Sequence, residues 1–176
     1  MQRTKAIGLL HKQLCKDSAL SRQGLPDYVC TFRKPDKNEE PIKGPLSDFK
    51  GEEFVSTGNE SIDIWQRYAD PVWNDIRQTR TLNGRLARQN DDERHVCPLQ
   101  LDVIERCVQL WSNPGDVVLS PFAGVGSEGV GALSLDRKFV GIEPKESYFE
   151  HACKFLAAEE SKLTEESLFA DVEAAR

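Results

Sequence analysis

Three glycines and one acid carry the clearest chemical pattern in this chain of 176 residues. Gly124, Gly126 and Gly129 follow the apolar run Val117-Val118-Leu119 and the turn Ser120-Pro121-Phe122-Ala123. A helical pattern runs on to Leu135, and a second apolar run, Phe139-Val140-Gly141-Ile142, ends on Glu143. The order strand, glycine turn, helix, strand, acid is half of a mononucleotide-binding unit. Glycines let backbone approach a ligand that a Cβ would exclude. A carboxylate at the second strand's tip can accept hydrogen bonds from both hydroxyls of a ribose. Taken alone, the three glycines fit a tight strand-to-helix turn nearly as well as a ligand cradle, and Glu143 tips the balance toward the ligand. In a nicotinamide fold the first glycine follows its strand directly, whereas Ser-Pro-Phe-Ala intervenes here. No Gly-Lys-Ser/Thr is present for a P-loop.

A second set of residues suits a polyanion. Arg77, Arg80, Arg85 and Arg88 lie in a stretch with no acid and with Gln, Thr and Asn interspersed. Such side chains fit phosphate contacts and base-edge readout, and they fit a solvated polar loop as well. The net charge of −6 does not argue against this, because it is unevenly spread. Residues 1–35 are basic and the tail from Ala157 is acidic. Trp65, Tyr68 and Trp73 fall within nine positions and read as core packing in preference to a stacking platform. The five cysteines are widely spaced with no CxxC pair, and only three histidines are present, so no metal site is expected. Free, mostly buried thiols in a reducing cytoplasm are expected instead. No run approaches the roughly 20 apolar residues of a membrane span, and the N-terminus lacks the pattern of a signal peptide.

These residues need elements to hold them. Residues 4–16 place Ile7, Leu10 and Leu14 on one helical face. Asp27–Lys34 is rich in β-formers and predicts a strand. Residues 35–60, with their acids, prolines and glycines, predict a long loop. Residues 60–78 predict a short helix and a turn at Asp70-Pro71. Pro98–Ser112 has apolar residues at helical spacing, stopped by Asn113-Pro114-Gly115. The strands 116–120 and 138–143 enclose the glycine turn. A helix over Glu146–Leu156 follows, with Tyr148, Ala152, Phe155 and Leu156 on its apolar side, and then a frayed helical tail. Three strands are fewer than the five or six usual in an open α/β sheet.

Three segments in order resemble the amino-directed DNA methyltransferases, closest to the bacterial and phage-type enzymes that methylate adenine N6 or cytosine N4. They are His95-Val-Cys-Pro98-Leu99-Gln-Leu101, then Gly115-Asp116 through Ser120-Pro121-Phe122-Ala-Gly124-Val-Gly126-Ser127, then Gly141-Ile142-Glu143-Pro144 to Tyr148. The resemblance covers roughly residues 95–158, and Ser21–Pro35 resembles a late strand of the family's catalytic half. It implies an α/β, Rossmann-like fold with an incomplete sheet, and S-adenosylmethionine as cofactor. It also implies roles. Glu143 would bind the ribose. Pro121, Phe122, Gly124, Gly126 and Ser127 would lie along the methionine and sugar, and Pro98 and Leu99 would close the pocket. Ser120 stands where the family usually has Asp, and Ser127 where Thr is common.

The family's catalytic loop, [Asp/Asn/Ser]-Pro-Pro-[Tyr/Phe/Trp], has one approximation here, Asp70-Pro71-Val72-Trp73. It would place Asp70 on the target amine and Trp73 on a flipped base. The ordinary reading, an Asp-Pro turn beside a core tryptophan, suits the spacing better, because several strands must fit between that loop and His95. The expected protein is therefore the C-terminal portion of a double-stranded-DNA methyltransferase, its catalytic loop upstream. Residues 1–94 would be a partial catalytic and DNA-facing half, 95–158 the cofactor half and 159–176 an acidic tail. A non-catalytic DNA-binding remnant is the alternative.

Overall fold

A computed structural model describes residues 27–42, 60–82 and 99–174, with the side chains of the last helix described as far as Thr164. The chain divides into two compact units, residues 1–39 and 40–176.

In the first unit, residues 27–39 run without helix or strand and are exposed throughout. The strand expected over Asp27–Lys34 is therefore absent. β-forming side chains do not make a strand by themselves, because a strand exists only through a ladder to a neighbour. Tyr28 and Phe32 remain almost fully exposed. The expected amphipathic helix over residues 4–16 lies outside the described residues.

The second unit is built around a parallel pair of strands. In chain order it holds α1 (Glu60–Ala69), α2 (Leu101–Trp111), β1 (Val117–Ser120), α3 (Ser127–Leu133), β2 (Lys138–Gly141) and α4 (Glu146–Ala174). β1 and β2 pair in register from Val117 with Lys138 to Ser120 with Gly141. Parallel strands cannot be joined by a hairpin, so α3 crosses over between them. α4 runs past Leu156 as one helix to Ala174, longer than the tail was expected to hold together. No helix among the described residues is long and apolar enough to cross a membrane.

Small residues set the helix-to-sheet distance. A Cβ on Gly129 would lie 2.6 Å from the Phe139 ring and 2.5 Å from Leu156 Cδ2, so only glycine lets α3 settle between β2 and α4. Two residues on, a Cβ on Gly131 would lie 2.6 Å from Ile104 Cγ2, which seats α2 against α3. Ala132 and Val130 are buried there, with Ile104 and Val108 from α2 and Ala152 from α4. Val118 and Phe139 face this core. On the other face Val117, Leu119 and Val140 are 50–61% exposed, and Ile142 just beyond β2 is 56% exposed. Parallel sheets are normally covered on both faces, so one side of this pair is bare among the described residues.

The connection into α2 is held by charge. α1 ends where Pro71 withholds an N–H and restricts Asp70. Asp70 Oδ1 accepts from Val72 N at 2.7 Å, closing the turn. The indole of Trp73 donates to Tyr68 O at 3.0 Å. Arg106 of α2 lies between these rings, 4.6 Å from the Tyr68 centroid and 4.8 Å from that of Trp73. It is buried and paired with Asp75, which also takes Arg67. Arg77 and Arg80 reach Asp102 and Glu105 of the same helix. At its far end α2 is fixed by Arg137, which donates to Ser112 Oγ at 3.0 Å and Ser112 O at 2.7 Å.

The thiols differ from expectation: Cys30 and Cys153 are exposed and only Cys107 is half-buried among the described residues. Burial pushes the Cys107 thiol up to about 11. Cys15 and Cys97 lie outside the described residues.

The charged connection sets the acid response of this unit. Burial alone would raise the Asp75 carboxyl, but hydrogen bonds from Arg106 and Arg67 outweigh it and hold the group at about 2. Asp102, likewise raised by burial and lowered by Arg77 and Arg80, also sits at about 2. A carboxylate depressed in the folded state stabilises fully above its unfolded value near 3.8 and loses that contribution as pH falls toward 2. Acid titration followed by tryptophan fluorescence should show Trp73 losing its environment between about pH 4 and pH 2. Arg106→Ala should cost about 3 kcal/mol in urea denaturation, because it strips Asp75 of one partner and empties the space between two rings.

Candidate functional site

The glycine turn stands at the carboxyl end of β1, beside the carboxyl end of β2. Parallel pairing puts both ends on the same edge, and the two segments are stitched together beyond the strands. Ile142 N donates to Ser120 O at 2.9 Å and Ala123 N to Ile142 O at 3.0 Å. The turn then closes on itself, with Gly126 N donating to Ala123 O at 2.8 Å. Gly124 and Gly126 both adopt left-handed backbone, at φ +54° and +87°. A Cβ on Gly124 would meet nothing within 4 Å, so the turn is open on that side. A Cβ on Gly126 would lie 3.1 Å from Ala152 Cβ, so α4 lies directly behind the turn.

Glu143 faces this turn. Its Oε2 accepts from Gly124 N at 2.9 Å and its Oε1 from Lys145 N at 2.9 Å. Each carboxylate oxygen has a second lone pair, so these bonds fix the group and leave acceptors for a further donor. Lys145 places its ammonium 4.2 Å from the Tyr148 ring centroid, at the start of α4. Phe122 projects from the turn and is 85% exposed, while Ser120 and Ser127 are buried on either side of it. Glu128, in the first turn of α3, is raised by burial. The arrangement is an open backbone loop, a fixed carboxylate and an exposed ring, which suits a ligand carrying a ribose.

The structure thus brings Ser120, Pro121, Phe122, Gly124, Gly126, Ser127 and Glu143 to one edge. Leu99 lies half-buried just before α2. Pro98 lies outside the described residues, as do Arg85 and Arg88. Asp70, Pro71 and Trp73 belong to the turn after α1, where the Asp70 carboxylate accepts from Val72 N and one face of the indole lies against Arg106.

Arg77 and Arg80 are bound to α2. Arg77 Nε and Nη2 reach the two oxygens of Asp102 at 3.0 and 2.7 Å, and its backbone N donates to Asp102 Oδ2 at 2.8 Å. Arg80 Nη1 donates to Asp102 at 2.8 Å and Nη2 to Glu105 at 2.7 Å. Sequence reading missed these acids. The available signal was spacing: Arg77 and Arg80 are three apart, as are Asp102 and Glu105, which places the acids on one face of α2.

The family model described as DNA methylase, for N6/N4 methyltransferases, matches residues 17–154. Among curated relatives, the type II methyltransferase M.BglII of Bacillus subtilis is 38% identical over 77 residues, covering 43% of this chain and 21% of that protein. The type II methyltransferase M1.MboII of Moraxella bovis is 32% identical over 88 residues, covering 49% of this chain and 32% of that protein. The aligned parts are thus about a fifth to a third of these relatives' length. Among solved structures, the M1.HpyAVI–SAM complex is 41% identical over 32% of this chain and 28% of its own, with a TM-score of 0.31. TTHA0409 of Thermus thermophilus, complexed with S-adenosyl-L-methionine, is 23% identical over 77% of this chain and 48% of its own, with a TM-score of 0.49.

The turn's geometry yields a test that needs no ligand. Gly126→Ala combines a left-handed backbone with a Cβ pressed on α4, and should lower stability by about 1–3 kcal/mol in thermal or urea denaturation. Gly124→Ala has the strain without the contact, and should cost less, about 1 kcal/mol.

Proposed function

This chain belongs to the DNA methylase family whose model spans residues 17–154, and from that membership we propose that it supplies the cofactor half of an S-adenosylmethionine-dependent DNA methyltransferase acting on adenine N6 or cytosine N4. One observation carries the cofactor assignment: the Glu143 carboxylate is fixed by Gly124 N and Lys145 N at the mouth of the glycine turn. In that position it would accept hydrogen bonds from the ribose hydroxyls of the cofactor. The open side of Gly124 would admit the sugar and the methionine arm, with the exposed Phe122 ring beside them. Buried Ser120 would offer its hydroxyl to the methionine end, and Leu99, just before α2, would close the pocket, a role that family membership extends to Pro98. S-adenosylmethionine, when bound, supplies an electrophilic methyl group to an exocyclic amine held in line with it.

The group that holds that amine is assigned to a Pro-Pro-aromatic loop outside this sequence, not to Asp70-Pro71-Val72-Trp73. In this reading Asp70-Pro71 is a turn that closes α1 and Trp73 packs on Tyr68 and Arg106, and the stretch between Trp73 and His95 is too short to hold the strands that must separate a catalytic loop from His95. The face of β1–β2 left bare among the described residues supports the same view, because a complete fold of this kind carries helices on both faces. Double-stranded DNA is the proposed substrate. Residues 1–94 are proposed as the DNA-facing part; because Arg77 and Arg80 are paired with Asp102 and Glu105, the phosphate contacts expected of this stretch are proposed for Arg85 and Arg88. Cytoplasmic placement goes with that substrate.

Isothermal calorimetry should show S-adenosylmethionine binding to the isolated chain and no binding of NAD. Glu143→Ala should weaken the former by about 1.5–3 kcal/mol, the loss of a charged hydrogen-bond acceptor. With radiolabelled cofactor and unmethylated DNA, the isolated chain should transfer no methyl. Transfer by the chain alone would overturn the assignment of the catalytic loop to another segment, and NAD binding that depends on Glu143 would overturn the cofactor.

A further inference from the structure

Arg80 does more than lie along a basic stretch. The amino end of α2 lacks a side-chain cap: Gln100 occupies the N-cap position and makes no capping hydrogen bond. A helix start leaves its first N–H groups without intrahelical partners. Here the first of them, Leu101 N, donates to the main-chain carbonyl of Arg80 at 2.9 Å. The guanidinium of the same residue then spans the first turn and a half, from Asp102 Oδ1 at 2.8 Å to Glu105 Oε1 at 2.7 Å. The Asp102 side chain is 10% exposed and that of Arg80 35%, so the pairing is partly shielded from bulk water. Arg80 therefore grips α2 twice, by backbone and by side chain, from a position about 20 residues earlier in the chain.

That grip is transmitted. Ile104 lies in the turn held by Arg80 and fills the space left by Gly131 of α3. α3 begins at Ser127, directly after the glycine turn. Leu99 immediately precedes the gripped turn. A shift of the amino end of α2 would move Leu99, Ile104 and the start of α3 together. Arg137 holds the opposite end of α2 through Ser112. The helix is thus pinned at both ends, with Leu99 immediately before the end that Arg80 holds and β2 immediately after Arg137 at the other.

We infer that Arg80 is a positioning residue for the cofactor site, setting the amino end of α2 so that Leu99 and the α3 glycine turn converge on the same ligand. This role rests on the cofactor reading above. Its ligand is therefore the same one, and its action is indirect, through α2. Arg77 shares Asp102 but its side chain is 66% exposed and it reaches the helix only through that carboxylate, so the grip depends on it less.

Arg137→Ala provides the comparison, since it loosens the same helix at its other end. S-adenosylmethionine affinity is measured by calorimetry and thermal stability by scanning calorimetry for the wild type, Arg80→Ala, Arg80→Lys and Arg137→Ala. Backbone hydrogen exchange is followed over Leu101–Ile104. Arg80→Ala should weaken cofactor binding about tenfold more than Arg137→Ala does per degree of melting temperature lost, and should speed exchange at Leu101–Ile104. Arg80→Lys, which keeps one charge but not the fork, should recover part of the affinity, to within about threefold of wild type. Equal loss of affinity in Arg80→Ala and Arg137→Ala at matched stability would overturn the positioning role and make Arg80 a stability residue only. So would unchanged exchange at Leu101–Ile104. Failure of the wild type to bind S-adenosylmethionine would instead sink the cofactor reading itself, and the positioning role with it.

Discussion

Parallel pairing of β1 with β2 is the constraint on which the rest of the second unit depends. Two strands running the same way cannot meet through a tight turn, so a helix has to cross between them. The crossing puts the end of β1 and the end of β2 side by side, and it forces the chain to reverse sharply where β1 gives way to α3. Left-handed backbone at Gly124 and Gly126 makes that reversal possible. Glu143, two residues beyond the end of β2, arrives next to the turn for the same reason, and the Gly124 amide fixes it there. The edge is therefore a consequence of the topology, with a fixed acid on one side and open backbone on the other.

Charge does for α2 what small residues do for α3. α3 sits close to its neighbours because Gly129 and Gly131 leave room for Phe139, Leu156 and Ile104. α2 instead carries a buried arginine and two acids on the surface that receives residues 73–80. Arg106 is neutralised by Asp75 and flanked by Tyr68 and Trp73, and Asp102 and Glu105 collect Arg77 and Arg80. Breaking the Arg106–Asp75 pair leaves a charge in a poorly hydrated place, so it matters more than an ordinary surface ion pair would. The arrangement ties the aromatic cluster after α1 to the helix that packs on the glycine-turn helix.

The parts of this organisation that were legible in sequence are those governed by local rules. The apolar runs at Val117 and Phe139, the glycines between them and the acid after them specify β1, α3, β2 and Glu143 through spacing alone. Helical periodicity marked α2, and Asp70-Pro71 marked the end of α1. What was not legible depends on partners far away in the chain. Asp27–Lys34 has the composition of a strand, yet no described neighbour supplies a ladder and it stays exposed, without strand structure. Arg77 and Arg80 look like free cations in a stretch without acids, and their carboxylates stand more than 20 positions later. The tail beyond Leu156 has no strong apolar stripe, but a helix already nucleated by packing at Ala152 propagates at little cost, one hydrogen bond per residue fixed.

The two faces of the β1–β2 pair separate what this chain can do from what it needs. On the covered face, α3 and α4 close over Val118 and Phe139, and every described element that shapes the glycine turn comes from that side or from the strand ends. Gly124, Gly126 and Glu143 are held locally, by the Glu143 carboxylate on Gly124 N and Lys145 N and by Ala152 behind Gly126. On the other face, Val117, Leu119, Val140 and Ile142 present an apolar surface with nothing over it among the described residues. The edge that carries Gly124 and Glu143 therefore takes its shape from one side of the pair. Its seat against α2 is set at Gly131, where Ile104 packs, and α2 is in turn held by Arg80 at one end and by Arg137 at the other.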